Sequence, residues 1–381
     1  MSAPTPNLED RYLGAIFGLA IGDGIGEATE SCHGCAPIGR DIFVPSVWAQ
    51  FPNPHHLKPD TSMALCLAES LVKNGFDPLD QIKRYRKWYK EGYLSSTGRC
   101  FDIGNQTKAA ILRMSWMRKP LMDPPEDASI EGGNGSIMRL APVPLAFAHD
   151  PSRAVLLSGE SSRTTHSTRA CVDACRYLGA LIVGALQGRS KEEILDAHFD
   201  PTPGSLGQPP LHPTISLVRE GLYKRHDPPT RHEGPTLGLL VHTLRVALWA
   251  FWRGSSFEEG CLLCVNVPGF ASHSFLTPRI PARIRGCGHD HGVAQGMTMW
   301  VEIWPWVGLV WPWVGLVWPW VGMTMGWNGH VWPWIGLAMD WVGMTYDLGP
   351  ELLANLARQL LRVRTQAETP PPPPAASTAT T

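Results

Sequence analysis

The chain has 381 residues, 33 Lys and Arg against 34 Asp and Glu, a formal charge of -1 and 44% apolar residues. That length suits one large domain or two modest ones. A balance this close to neutral gives no single-sign field, which excludes nucleic acid as the main partner and makes an anionic membrane surface an unlikely one.

Nine Cys is an odd number, and the polar start MSAPTPNLEDRY has no apolar signal segment. A reducing, cytoplasmic location is therefore expected. The pairs Cys32-His-Gly-Cys35 and Cys261-Leu-Leu-Cys264 have zinc-like internal spacing, but they lie far apart and the second sits in an apolar helical pattern. Ordinary buried thiols are the better reading. The compositional oddity is 16 Trp against 7 Tyr, with eleven of the Trp between Trp300 and Trp341.

From Arg11 to about Val265 the sequence reads as amphipathic helices joined by short loops rich in Gly, Pro and Asp, with little strict alternation. Leu65, Leu67, Ala68, Leu71 and Val72 recur at helical spacing after the start signal Asp60-Thr61-Ser62. Leu79 to Tyr89, Ala109 to Trp116, Ala170 to Leu186, Thr214 to Tyr223 and Thr243 to Phe251 behave the same way. An all-α domain follows, with a single core built from about ten helices.

At about Pro268 the character changes. Phe270 to Gly292 has no helical period, and Trp304 to Val317 is two copies of WPWVGLV with a partial third at Trp318. A coiled coil is excluded because every unit carries both Pro and Gly. A membrane-spanning helix is not expected either, since a Pro in each unit repeatedly breaks its internal hydrogen bonds. Residues 266-346 are read as an anomalous low-complexity Trp/Pro/Gly repeat, resembling a translated minisatellite or an out-of-frame or retained-intron reading. Gly349-Pro350 followed by Leu352, Leu353, Leu356, Leu360 and Leu361 predicts an amphipathic helix over 347-366, and 367-381 a disordered Pro-rich tail.

Five segments are expected to carry polar residues on loops. They are Gly22-Asp23-Gly24-Ile25-Gly26 with Glu30 behind it, Asp60-Thr61-Ser62, the run from Ser95 to Asn105, the run from Glu131 to Arg139, and Thr165-His166-Ser167. STGRCFDIGN and EGGNGSIMR are Gly-rich stretches leading into helical patterns, where backbone N–H groups and a helix start can hold phosphate. A diphosphate ligand fits this reading. Simple helix capping by Ser96, Asp102 and Asn134 is the open alternative, and Asp23 is read as a cap rather than as a catalytic acid.

In this order, RYLGAIFGLAIGDGIGEATE, DTSMALCLAESL, GYLSSTGRCFDIGN, GNGSIMRLAPVPL, SSRTTH and SFEEGCLL resemble the ADP-ribosylglycohydrolase family, and STGRCFDIGN is most similar to its dinitrogenase-reductase-activating branch. The resemblance covers residues 10-265. It implies an all-α orthogonal helical bundle whose cleft holds two Mg2+ ions and hydrolyses the bond between ADP-ribose and a protein side chain such as arginine, or a related acceptor. The partner is then an ADP-ribosylated protein or ADP-ribosyl small molecule. Such chemistry builds oxocarbenium character at the ribose, which anionic groups stabilise and a positioned water captures, and Mg2+ calls for hard oxygen ligands.

Carried over residue by residue, Glu30 takes the acidic position near the reacting water. Gly98, Arg99 and Cys100 line the phosphate or ribose loop, Gly133, Asn134, Gly135 and Ser136 contact the ADP-ribose, and His166 lies near the diphosphate. Asp60 is the one matching metal ligand. The family's Thr-Asp-Asp run is replaced by Lys58-Pro59-Asp60, and no Asp-x-Asp-Thr run follows SFEEGCLL, where the chain reads Val267-Pro268-Gly269-Phe270. His289-Asp290-His291 lies in an unpatterned stretch and is not counted as a metal site.

The expectation is therefore a family member with impaired Mg2+-dependent hydrolysis. The alternatives are a catalytically inactive ADP-ribose-binding module or a non-functional mistranslated product. Loss of the C-terminal metal run is further expected to expose apolar surface on helices 170-187 and 237-265.

Overall fold

Three- and four-residue apolar spacing is realised as helix throughout. The computed structural model describes residues 7–30, 59–117, 120–123, 132–229, 239–267 and 350–368. Among them there is no strand. The helices are α1 (Leu8–Glu30), α2 (Pro59–Asn74), α3 (Pro78–Glu91), α4 (Asn105–Met117), α5 (Pro142–Phe147), α6 (Pro151–Ser162), α7 (Arg169–Leu186), α8 (Lys191–Ile194), α9 (Pro213–Arg219), α10 (Leu239–Arg253), α11 (Phe257–Val265) and α12 (Pro350–Glu368). None of them is long and apolar enough to cross a membrane.

Local chemistry sets many of their ends. Asp77 accepts the N–H groups of Leu79 and Asp80 ahead of α3, with Pro78 in its first turn, and Gly92 at φ 68 closes its last turn. Thr168 caps α7 through the Cys171 N–H, and Ser190 with Glu193 forms a reciprocal capping box on α8. The single helix predicted over Thr214 to Tyr223 is instead divided. Gly221 takes φ 97, which ends α9 and starts a separate 3-10 turn at Leu222–Lys224.

One dominant apolar cluster joins these helices, running from Tyr12 and Phe17 of α1 through Leu67, Tyr85, Leu145, Leu181 and Leu248 to Leu360 of α12. α6 lies along α7, while α12 packs on α1, α2 and α5. Arg358 of α12 also pairs with Glu9 of α1 at 2.7 Å. Buried polar links add specificity. Arg176 and Asp173 of α7 pair at 2.9 Å, and they hold the following loop through Pro209 O and the His212 N–H. Between α2 and α3, Glu69 receives Arg84, Lys73 and the Tyr93 hydroxyl. Burial alone pushes the Glu69 carboxyl up, but those hydrogen bonds and charges outweigh it and the net shift is downward.

Two expectations need correction. Gly22 to Glu30 and Asp60 to Ser62 are not loops, for the first run lies inside α1 and the second in the first turn of α2. The glycines read locally as a turn, but packing into the core overrides that weak preference. Nor do α7 and the body of α10 present an apolar face, although Trp252 at the end of α10 is exposed. α7 is buried from Asp173 to Leu186 and α10 from Leu240 to Phe251, because α5, α6, α8 and α9 surround the former and α9, α11 and the 3-10 turn the latter.

Cys261 and Cys264 are buried free thiols of α11, as expected of core cysteines, and burial pushes both up. Cys32, Cys35, Lys58, His289 to His291, the WPWVGLV repeats and the tail 369–381 lie outside the described residues. Leu360 is fully buried, so Leu360→Ala is expected to destabilise the fold by about 3 kcal/mol, the usual cost of a core Leu-to-Ala cavity. Equilibrium denaturant unfolding measures it.

Candidate functional site

The acidic part of the site sits where α1 meets α2. Asp23 is fully buried in mid-helix, and its Oδ2 accepts the backbone N–H of Thr61 at 3.2 Å and the Thr61 hydroxyl at 2.5 Å. It is thus a cap, but one that acts across space on the first turn of α2 rather than on its own helix. Asp60, next to Thr61, is 1% exposed. Glu30 is the last residue of α1.

The second part is the Gly-rich loop ahead of α5. Gly132 takes φ 66, and a Cβ there meets Cys171 Sγ at 2.7 Å and Thr168 Oγ1 at 2.9 Å. Gly133 donates its N–H to Gln106 Oε1 of α4 at 2.7 Å, and its carbonyl accepts from the Cys171 thiol. Asn134 opens a helical turn, with its carbonyl accepting from Ile137 and Met138, while its side-chain amide donates to Thr243 of α10 at 3.0 Å. Ser136 is buried against the Cys175 thiol. The N–H groups of Asn134, Gly135 and Ser136 make no hydrogen bond among the described residues. Three consecutive amides with no partner among the described residues, at the start of a turn, are donors of the kind that can hold an oxyanion.

His166 closes the loop from the other side. It lies between α6 and α7, where its N–H bonds Ser162 O at 2.7 Å and its carbonyl accepts the Ser162 hydroxyl at 2.7 Å. The ring packs so tightly that a Cβ on Gly135 meets its Cε1 at 2.8 Å and one on Gly133 meets its Nε2 at 3.5 Å. Burial, and then the charge of Arg139, push the imidazole down from 6.5 to about 3. Arg139 itself is fully buried, bonded to Tyr85, Gly135, Thr164 and Thr165. A cavity of about 310 Å3, lined in part by Gln106, Arg113, Thr165 and Ser167, adjoins this group.

Gly98, Arg99 and Cys100 belong to a turn after α3. Ser95 and Thr97 hydroxyls both donate to the Arg99 carbonyl, at 2.7 and 3.0 Å, and Gly98 takes φ 65. Burial, with help from Asp102, pushes the Cys100 thiol up to about 11, so it is not a nucleophile at neutral pH. Asp102 adopts φ 56, a left-handed conformation that Asp tolerates. No hydrogen bond joins residues 98–100 to the Gly-rich loop among the described residues. The link runs through Gln106, in the first turn of the helix that follows them.

A pair of Mg2+ ions is not matched by these residues. Among the described residues no three His, Cys, Asp or Glu side chains come together as metal ligands. Asp23 directs its Oδ2 at Thr61, and among the described residues that leaves too few hard oxygen donors for two divalent ions.

The family model for ADP-ribosylglycohydrolase matches residues 4–271. The chain belongs to the ADP-ribosylglycohydrolase family. It is 33% identical over 305 residues to the ADP-ribosylarginine hydrolase Tri1 of Pseudomonas putida (strain GB-1), covering 78% of this chain and 75% of that relative. Over 216 residues it is 29% identical to the ADP-ribosyl dinitrogen reductase glycohydrolase of Rhodospirillum rubrum, covering 52% and 69% of the two chains. A solved ADP-ribosylglycohydrolase-related protein complex shares the fold with a TM-score of 0.63 at 30% identity, over 94% of this chain and 99% of that one. The all-α bundle and the family expected from the ordered motifs are therefore both found.

Arg139 and Thr165 fell inside runs expected on loops but were given no role, and Gln106 was not singled out. The available signal was an Arg inside the apolar run Ile137-Met138-Arg139-Leu140 and a Gln directly after Asn105. The low His166 value has a consequence for stability. The native state favours the neutral ring, so its contribution is fully present above pH 6.5 and is lost as pH falls from there towards about 3. In His166→Gln, that part of the acid-induced decline in denaturant midpoint is expected to vanish while the neutral-pH curve keeps its shape.

Proposed function

We propose that this chain binds the ADP-ribose group of ADP-ribosylated proteins, arginine-linked ones included, and that its hydrolysis of the ADP-ribose to side-chain bond is impaired. The observation that carries the reading is the run of three unpaired amides at Asn134, Gly135 and Ser136 beside the neutral His166 ring. Such donors suit a diphosphate and need no cation to complete them. The adjoining cavity of about 310 Å3 is of a size to take one end of a nucleotide. The names of the relatives supply the ADP-ribosyl and arginine parts of the reading. The incomplete carboxylate set at Asp60 supports the impairment, and no step of the reading runs through a metal.

Calorimetry on the full chain tests binding. ADP-ribose is expected to bind with an affinity that EDTA leaves unchanged, and Gly135→Ala, whose Cβ collides with His166, is expected to weaken it by roughly tenfold, about 1.4 kcal/mol. No binding at all rejects the reading. Incubation with ADP-ribosyl-arginine protein in excess Mg2+ is expected to release no ADP-ribose above a blank lacking the chain. Rapid release overturns the impairment alone.

A further inference from the structure

We propose that Arg139 and Thr165 are positioning residues that lock the His166 ring with its proton on Nε2, so that it offers the Gly-rich loop a fixed, neutral hydrogen-bond donor. The use of that donor for a diphosphate rests on the ADP-ribose reading above; the lock itself rests on hydrogen bonds alone.

A guanidinium donates and never accepts. Arg139 Nη2 reaches Thr165 Oγ1 at 2.7 Å, so that oxygen is an acceptor and its own proton must go elsewhere. Its other hydrogen-bond neighbour is His166 Nδ1 at 2.8 Å. The hydroxyl therefore donates to Nδ1, and the ring proton sits on Nε2. Thr164 obeys the same rule beside it, accepting from Arg139 Nη2 at 3.2 Å and donating on to Ser161 O at 2.8 Å. The opposite tautomer puts an Nδ1–H against Thr165 and leaves the hydroxyl proton without an acceptor.

A doubly protonated ring repeats that conflict and sets a second cation near Arg139. The groups around the ring offer no compensation. Arg139 reaches it from the loop before α5, Tyr85 of α3 lies behind Arg139, and the Cys171 thiol of α7 stands at Gly133 O. No carboxylate forms an ion pair with Arg139 or His166 among the described residues. Nε2 has no hydrogen-bond partner among them either, and it lies beside Gly133 and Gly135, 3.2 Å from where a Gly135 Cβ would stand.

Nitrogen NMR on the full chain labelled with 15N-histidine tests the lock, with the His166 signals identified by their loss in His166→Gln. The expected pattern is a protonated Nε2 and an unprotonated Nδ1, constant from about pH 5 to 8. Thr165→Val is expected to shift the ring to a tautomer mixture and to weaken ADP-ribose binding about tenfold. Thr165→Ser, which keeps the hydroxyl, is expected to restore both, which separates the hydroxyl's role from a general loss of fold. A proton on Nδ1, a ring that titrates in that range, or a tautomer unmoved in Thr165→Val overturns the proposal. A locked Nε2–H in a chain that binds no ADP-ribose supports the lock and removes the ADP-ribose reading.

Discussion

The guanidinium of Arg139 is fully buried and, among the described residues, faces only neutral acceptors, and the shape of the site follows from how that charge is satisfied. Removing such a cation from water without a counter-ion costs several kcal/mol. Here the cost is offset by hydrogen bonds to a carbonyl and three hydroxyls, each worth about 1.5–3 kcal/mol when one partner is charged, and by the face of Tyr85 at 4.8 Å. The acceptors come from α3, from the Gly-rich loop and from the turn after α6. Any movement that separates these three elements strips the cation of partners, so the loop, Thr165 and His166 are held as one unit.

The acidic corner is organised differently. Asp23 directs a carboxylate oxygen at Thr61, tying α1 to the first turn of α2. An anion placed there also complements the positive end of the α2 dipole. The site therefore has a side organised around the buried Arg139 cation and a side on which the carboxylate of Asp23 holds the first turn of α2.

Much of this was legible in the sequence, and the gaps have physical causes. Helical spacing from Leu65 to Val72 and from Ala170 to Leu186 marked α2 and α7 because burial of one face imposes that period. The Gly-rich run Gly132 to Ser136 was legible because only Gly fits where Cys171 and His166 approach so closely. Asp23 was misplaced on a loop, since glycines on both sides of it mimic a turn and the bond to Thr61 exists only in three dimensions. Arg139 closed a run that the sequence singled out, but its part in the site was not legible for the same reason, as the burial and partners of a cation in an apolar run have no local signature. The pattern of α12 announced a helix but not the surface it covers.

That surface bears on how the molecule is made. Glu9 and Arg358 lie 349 residues apart in the chain yet join α1 to α12. At ribosomal speeds of about 5–20 residues per second, roughly 20–70 s separate the synthesis of the two helices. During that interval the flank of α1 destined for α12 is open to water, to chaperones and to other nascent chains. α1 thus depends on a helix made much later, and every codon between them lengthens its exposure.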